Sequence, residues 1–206
     1  MQLEDLLGGL TQPDFDEEWL ATLPVGRIDI VVRADGRWEY CGSPFTRPSM
    51  VQLLASHLLL RDGDYCLVAP EQLLKITVED CPFLIDGVER NVRSRSASAD
   101  QRSDMARIDI TMTTNVGHVF TLGCGEHVMS LQRLPATAQS ATAQWIPVVT
   151  ALRGMPARVS RASYYRLASW AECRVVDGVE YLQIDSAGIY HTLGRADEPT
   201  TPASQY

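Results

Sequence analysis

Apolar and polar residues alternate with a period of two from residue 28: Ile28, Ile30 and Val32 fall between Asp29, Val31 and Arg33. That period belongs to a half-buried strand. Ala34-Asp35-Gly36 supplies turn chemistry, and residues 37–41 return as a second strand. The period then changes. Met50, Leu53, Leu54, His57 and Leu58 recur at i, i+3, i+4, i+7 and i+8, one buried helical face, and Pro48 suits its first turn. Asp62-Gly63 stops the helix. Residues 65–69 and 73–78 read as strands, the second with Leu74, Ile76 and Val78 on one face, and residues 83–88 read as a further small hairpin.

The second half repeats the plan. The string RIDI at residues 27–30 returns at 107–110, where Ile108, Ile110 and Met112 alternate. Thr113 to Gly117 (TTNVG) stands where the earlier turn stood, and residues 118–122 return. The string LAS occurs in both helical stretches, at 54–56 and 167–169, the second on a face formed by Tyr164, Leu167, Ala168 and Ala171. Two strands, residues 127–134 and 145–150, read as an insert around a small-residue loop at 135–143. Residues 174–184, with Asp177-Gly178 at the turn, and 189–193 read as the final strands.

These elements predict an α+β fold of two duplicated halves, each an antiparallel sheet with a packed helix. The division expected is an N-terminal extension (1–26), a first repeat (27–90), a linker (91–104), a second repeat (105–194) and a tail (195–206). Residues 27–60 are expected to overlay residues 107–123 plus 160–172. The linker NVRSRSASADQRS has too little apolar surface to offset chain entropy, and mobility is expected there. Leu3, Leu6, Leu7 and Leu10 allow a short amphipathic helix in the extension.

Composition narrows the function classes. Of 206 residues, 45% are hydrophobic and the net charge is −8, so a core is expected and a counterion-displacing DNA or RNA surface is not. Five scattered cysteines without a CxxC read as reduced thiols. With no basic leader and no long apolar run, the expectation is a cytoplasmic protein without a membrane partner.

The strings DGRWEYCGSPFTRPSMVQLLAS, DGDYCLVAPEQLLKITVEDCPFLI and TNVG, with SRASYYRLASWAE and LQIDSAGIYHTLG nearer the C-terminus, resemble the bacterial family known as domain of unknown function 1285. The resemblance covers residues 28–194. It implies a duplicated fold whose C-terminal half looks like a pleckstrin-homology domain. It also implies a suspected site between the halves for a nucleotide-like ligand, and a signalling role.

Phosphate-loop, GxGxxG, GxSxG and HExxH signatures are absent from the sequence. Cys124 and His127 have Cys-x-x-His spacing, with His118 a conceivable third ligand, but an ordinary loop is the expectation and no metal is expected. A nucleophilic role for Cys41 or Cys124 ranks low. His57 is expected to be a packed core histidine. Glu79 and Asp80 are poorly placed as an acid/base couple, because neighbouring strand residues point to opposite faces, and Asp80 is expected to brace the turn.

The stronger candidates form two groups. Gly42 and Ser43 before a helix offer amides and a hydroxyl to an anion, and Arg47 adds a planar fork. Thr114, Asn115 and Gly117 form a turn able to present amide and hydroxyl groups. The expectation is a non-catalytic ligand-binding or regulatory protein without a cofactor, taking a small anionic, nucleotide-like ligand where the two halves meet, with Arg47 as anchor. The alternative is a protein-interaction module using the pleckstrin-like half and an exposed strand edge. A small hydrolase ranks last.

Overall fold

The computed structural model describes residues 15–93, 107–134 and 144–196. The proposed N-terminal helix and most of the linker and tail lie outside the described residues. The chain divides into two compact units, Met1–Pro82 and Phe83–Tyr206.

Unit 1 opens with α1 (Glu17–Thr22), which Asp16 caps by accepting from the Trp19 amide at 2.8 Å. Leu20 of α1 is buried with Leu59, Cys66, Val68 and Leu73, and Phe15, Trp19 and Leu23 pack against that cluster. Six strands follow: β1 (Val25–Val32), β2 (Trp38–Tyr40), β3 (Ser43–Pro44), β4 (Leu58–Arg61), β5 (Asp64–Ala69) and β6 (Gln72–Val78). α2 (Pro48–Ser56) lies between β3 and β4. The sheet order is β3-β2-β1-β6-β5-β4. All pairs are antiparallel except β1 with β6, so the sheet is mixed and not the antiparallel sheet expected. The alternation legible in β1 sets the core: Ile28, Ile30 and Val32 are buried.

Unit 2 holds β7 (Phe83–Arg93), β8 (Arg107–Thr114), β9 (Val119–Thr121), β10 (Met129–Leu134), β11 (Gln144–Thr150) and β12 (Pro156–Val159), in the order β10-β11-β12-β7-β8-β9. β12 and β7 are its parallel pair. Matching β7 to β1, β8 to β2 and so on through β12 and β6 reproduces the same topology strand for strand. The duplication is therefore a property of the fold. Beyond β12 come α3 (Arg161–Ala168) and a three-stranded sheet of β13 (Glu172–Val176), β14 (Val179–Ser186) and β15 (Ile189–Arg195). Ser160 caps α3 by accepting from the Ser163 amide, and Tyr164 and Leu167 are buried.

The expected overlay is corrected. The first RIDI lies on β1 and the second on β8, whose counterpart is β2. The two LAS strings mark α2, between β3 and β4, and α3, after β12, which are not equivalent places. Both coincidences arise because half-buried strands and packed helices draw on the same small set of residues.

The boundaries move too. Residues 83–93 are one strand that pairs with β8 and β12, so residues 83–90 belong to the second unit, not the first. Asp86-Gly87, which reads as a hairpin turn, is a bulge: Ile85 pairs with Thr114 and Gly87 with Thr113. A Cβ on Gly87 would lie 3.1 Å from the Thr113 Cβ, so glycine admits the close approach. The stretch taken as an insert is β10 and β11, counterparts of β4 and β5. α2 ends at Ser56 and not beyond Leu58. His57 (φ −98°, ψ 0°) turns the chain, and Leu58 opens β4.

Candidate functional site

Cys41 (φ 48°) and Gly42 (φ 75°) form a two-residue left-handed turn between β2 and β3, with Tyr40 and Ser43 paired across it. Nothing lies within 4 Å of a Cβ built on Gly42, so glycine serves the backbone angle there. Gly42 and Ser43 are exposed, and four residues separate Ser43 from Pro48, the first residue of α2. The turn folds residue 43 back onto β2, and Pro48 fixes the helix start five residues later. Arg47 is the N-cap. Its carbonyl accepts from the Met50 and Val51 amides, and its side chain makes no capping hydrogen bond. Arg47 is exposed, no ion pair is made by it among the described residues, and the first turn of α2 holds no acid.

The second group sits in the β8–β9 turn of the other unit, the topological counterpart of the Cys41-Gly42 turn. Its polar atoms turn inward, contrary to expectation. Thr114 is buried, and its Oγ1 accepts from the His118 amide at 3.0 Å. The Asn115 amide donates to the Leu84 carbonyl at 2.8 Å, while Asn115 Oδ1 accepts from the Leu84 amide at 3.0 Å. Asn115 thus extends the β7 ladder past its last strand pair. Gly117 (φ 82°) is exposed and closes the turn onto the Thr114 carbonyl at 2.8 Å. Thr and Asn commonly bond nearby backbone in turns, a signal that could have assigned this role from sequence. Asn115→Ala is expected to cost about 1–2 kcal/mol, because the Leu84 amide loses its acceptor. Asn115→Asp keeps an acceptor and should retain most of the stability. Urea unfolding of both variants measures the difference.

Cys124 and His127 lie in the β9–β10 loop. His127 Nδ1 is 3.0 Å from the Thr150 carbonyl, and its ring stacks on Phe120 with centroids 4.2 Å apart. The His118 ring is 5.5 Å from Phe120 and 6.0 Å from His127. Burial pushes the His118 pKa down, aided by the charges of His127 and Arg153 and opposed by Glu126, and its Nε2 is enclosed with no hydrogen-bond partner among the described residues. The two imidazoles pack as aromatic rings, and among the described residues no group of three or more His, Cys, Asp or Glu is placed to hold a metal ion. Arg153, which the sequence did not single out, has left-handed backbone (φ 52°, ψ 46°) and a guanidinium whose pKa burial lowers.

In unit 1, Arg33 bridges Glu39 at 2.6 Å and Glu79 at 2.7 Å, and the Glu79 carboxylate also accepts from the Ala34 amide. The Arg33 hydrogen bond, then that amide, hold the Glu79 carboxyl below its usual range. Glu79 therefore ties β6 to the β1–β2 turn. Asp80 Oδ1 lies 3.8 Å from the Cys81 thiol, a loose local brace. His57 is buried as expected, with Nδ1 2.8 Å from the Leu53 carbonyl, closing the C-terminus of α2.

No curated protein matches the chain. A DUF1285 family protein from Silicibacter pomeroyi DSS-3 is 29% identical, with 92% of this chain and 93% of that chain covered and a TM-score of 0.70. A DUF1285 family protein from Shewanella baltica OS155 is 23% identical over 68% of this chain and 90% of that one, with a TM-score of 0.45. Residues 17–81 match the N-terminal domain and residues 97–193 the C-terminal domain of a family described as a domain and protein of unknown function, DUF1285. The first match falls within unit 1, the second within unit 2, and the chain belongs to the DUF1285 family.

Proposed function

We propose that this protein is a non-catalytic ligand-binding or regulatory protein that takes a small anion, with nucleotide-like phosphates the first class to test, and that Arg47 is its anchor. The observation that carries this reading is the mouth of α2. An exposed arginine stands at a helix N-terminus that no side chain caps and no acid neutralises, and among the described residues no ion pair holds it. In the first turn Pro48 has no N–H and the Met50 and Val51 amides bond the Arg47 carbonyl, which leaves the Ser49 amide; that amide and a guanidinium fork together suit a phosphate or carboxylate. The exposed Ser43 hydroxyl lies in the segment just before it. Asn115 and Thr114 leave the proposed donor set, because their oxygens already serve the backbone. A carboxylate suited to general base work is not part of the reading either, since Arg33 and an amide occupy Glu79.

A thermal-shift screen against inorganic phosphate and nucleotides tests it, because a ligand that binds the native state raises its melting temperature. Arg47→Ala should weaken binding about tenfold to a hundredfold, the worth of one charge-assisted hydrogen bond. The melting temperature without ligand should stay unchanged, since the Arg47 side chain caps nothing. Arg47→Lys should recover only part, keeping the charge and losing the fork. If no anion shifts the wild-type protein, or if Arg47→Ala leaves a shift intact, the reading fails.

A further inference from the structure

We propose that β13 is a dimerisation edge, at which a second copy of this chain adds its own β13 antiparallel in the register centred on Cys173. The strand stands at the edge of its sheet, in the order β13-β14-β15. Its sequence, ECRVV, has no proline and no lysine, no bulge breaks its pairing with β14, and its two charges, Glu172 and Arg174, are of opposite sign.

Its outward groups follow from the turn beside it. Asp177 (φ 51°) and Gly178 (φ 79°) form a two-residue turn closed by the Val176–Val179 pair. Such a turn makes that pair a hydrogen-bonded one. Alternation along the ladder then bonds Arg174 and Glu172 to β14 and aims the N–H and C=O of Cys173 and Val175 away from the sheet.

The side chains agree. Cys173 pairs with Leu182, two residues from the buried Ile184, so Cys173 and Val175 lie on the core-facing side of the sheet. Yet Val175 is 66% exposed and Cys173 is exposed. Cys173, Val175 and Leu182 thus run to an open edge on a face they share with Glu180, the residue opposite Val175.

Charge favours the occupant and the register, because of the registers that pair the outward groups only the one centred on Cys173 sets unlike charges opposite each other. Centring on Arg174 or on Glu172 would set like charges opposite each other, which is destabilising. Centring on Cys173 sets Glu172 opposite Arg174 of the second copy, and the reverse, by the twofold symmetry of an isologous pair. It also brings the outward groups of the two Cys173 residues into one hydrogen-bonded pair and sets the two Cys173 side chains beside each other across the join. Arg174 lies over the Tyr190 ring of β15 at 3.7 Å on the opposite face, so pairing with Glu172 of the second copy requires its side chain to turn from that ring to the edge.

Light scattering on the size-separated full chain should give twice the chain mass of 22.8 kDa. Arg174→Glu should weaken the dimer at least about tenfold, since both charge pairs become repulsive. Adding Glu172→Arg to it should restore the dimer by exchanging the charges. Val175→Pro removes only an outward N–H, so it should yield a monomer with a near wild-type melting temperature. Mild copper-catalysed oxidation should join two chains at Cys173, and Cys173→Ser should abolish that product. A chain that is monomeric at all concentrations overturns the proposal. So does a dimer that survives Val175→Pro and Arg174→Glu, or a cross-link that Cys173→Ser leaves in place when the other exposed cysteine, Cys41, is also replaced by serine.

Discussion

Ser186→Ala is expected to destabilise the protein by about 2–4 kcal/mol. Ser186 is fully buried, and its hydroxyl stands between two strands of another sheet. It accepts from the Ile110 amide at 2.9 Å and donates to the Leu122 carbonyl at 2.7 Å. Leu122 itself donates to the Ile110 carbonyl at 2.9 Å. In a regular antiparallel pair the Ile110 amide would return that bond to Leu122. Here the strands part by the width of one hydroxyl, and Ser186 completes the ladder. Alanine would leave a buried donor and a buried acceptor unpaired, each costing about 1–3 kcal/mol. Ser186→Thr keeps the hydroxyl and adds a methyl at a fully buried position, so it should fall between alanine and the wild type. Urea unfolding decides it. A loss below about 0.5 kcal/mol for Ser186→Ala would mean that a water replaces the hydroxyl.

What was legible in the sequence depended on whether a signal was local. β1, β5, β6, β14 and β15 showed through because apolar alternation and turn residues bound them, and α2 began where Pro48 allows. β4 was hidden because Leu58-Leu59-Leu60 continues the apolar run of α2. Only the bend at His57 separates them, and short apolar runs do not distinguish helix from strand. β12 was missed because four residues opening on Pro156 carry almost no periodicity, although Ala157 and Val159 are buried. Asp86-Gly87 looked like a turn because turns and bulges use the same chemistry. Long-range pairing of β7 with β8 and β12 decides between them. The same limit governs the candidate site. The residue types at Arg47 and Asn115 were informative, and both do lie at the ends of elements. Whether an amide faces outward or bonds Leu84 depends on a strand 31 residues away. The duplication was inferred correctly from strings that turn out not to correspond, because hydrophobic pattern constrains the kind of element more tightly than its place in the order.

Gly123→Ala should be comparably damaging, by about 2–4 kcal/mol, and for two separable reasons. Gly123 has φ 84°, a left-handed angle that costs a residue with a side chain about 1–2 kcal/mol. Its surroundings are also closed. A Cβ there would lie 2.9 Å from the Ser186 carbonyl oxygen, 3.0 Å from His191 Nε2 and 3.4 Å from the Ala187 Cβ. The first of these is backbone and cannot swing aside. It is also held, since the Ala187 amide next to it donates to the Ile108 carbonyl at 2.8 Å. His191 is 4% exposed and has little room to retreat. Gly125, two residues on in the same loop, supplies the control: φ is 61°, but nothing lies within 4 Å of its Cβ position. Gly125→Ala should therefore show the backbone cost alone, about 1 kcal/mol. The difference between the two variants measures how firmly the three-stranded sheet is seated against the β9–β10 loop. Equal losses in urea unfolding would show that the Ser186–His191 turn yields to the extra methyl, and would refute a rigid seat.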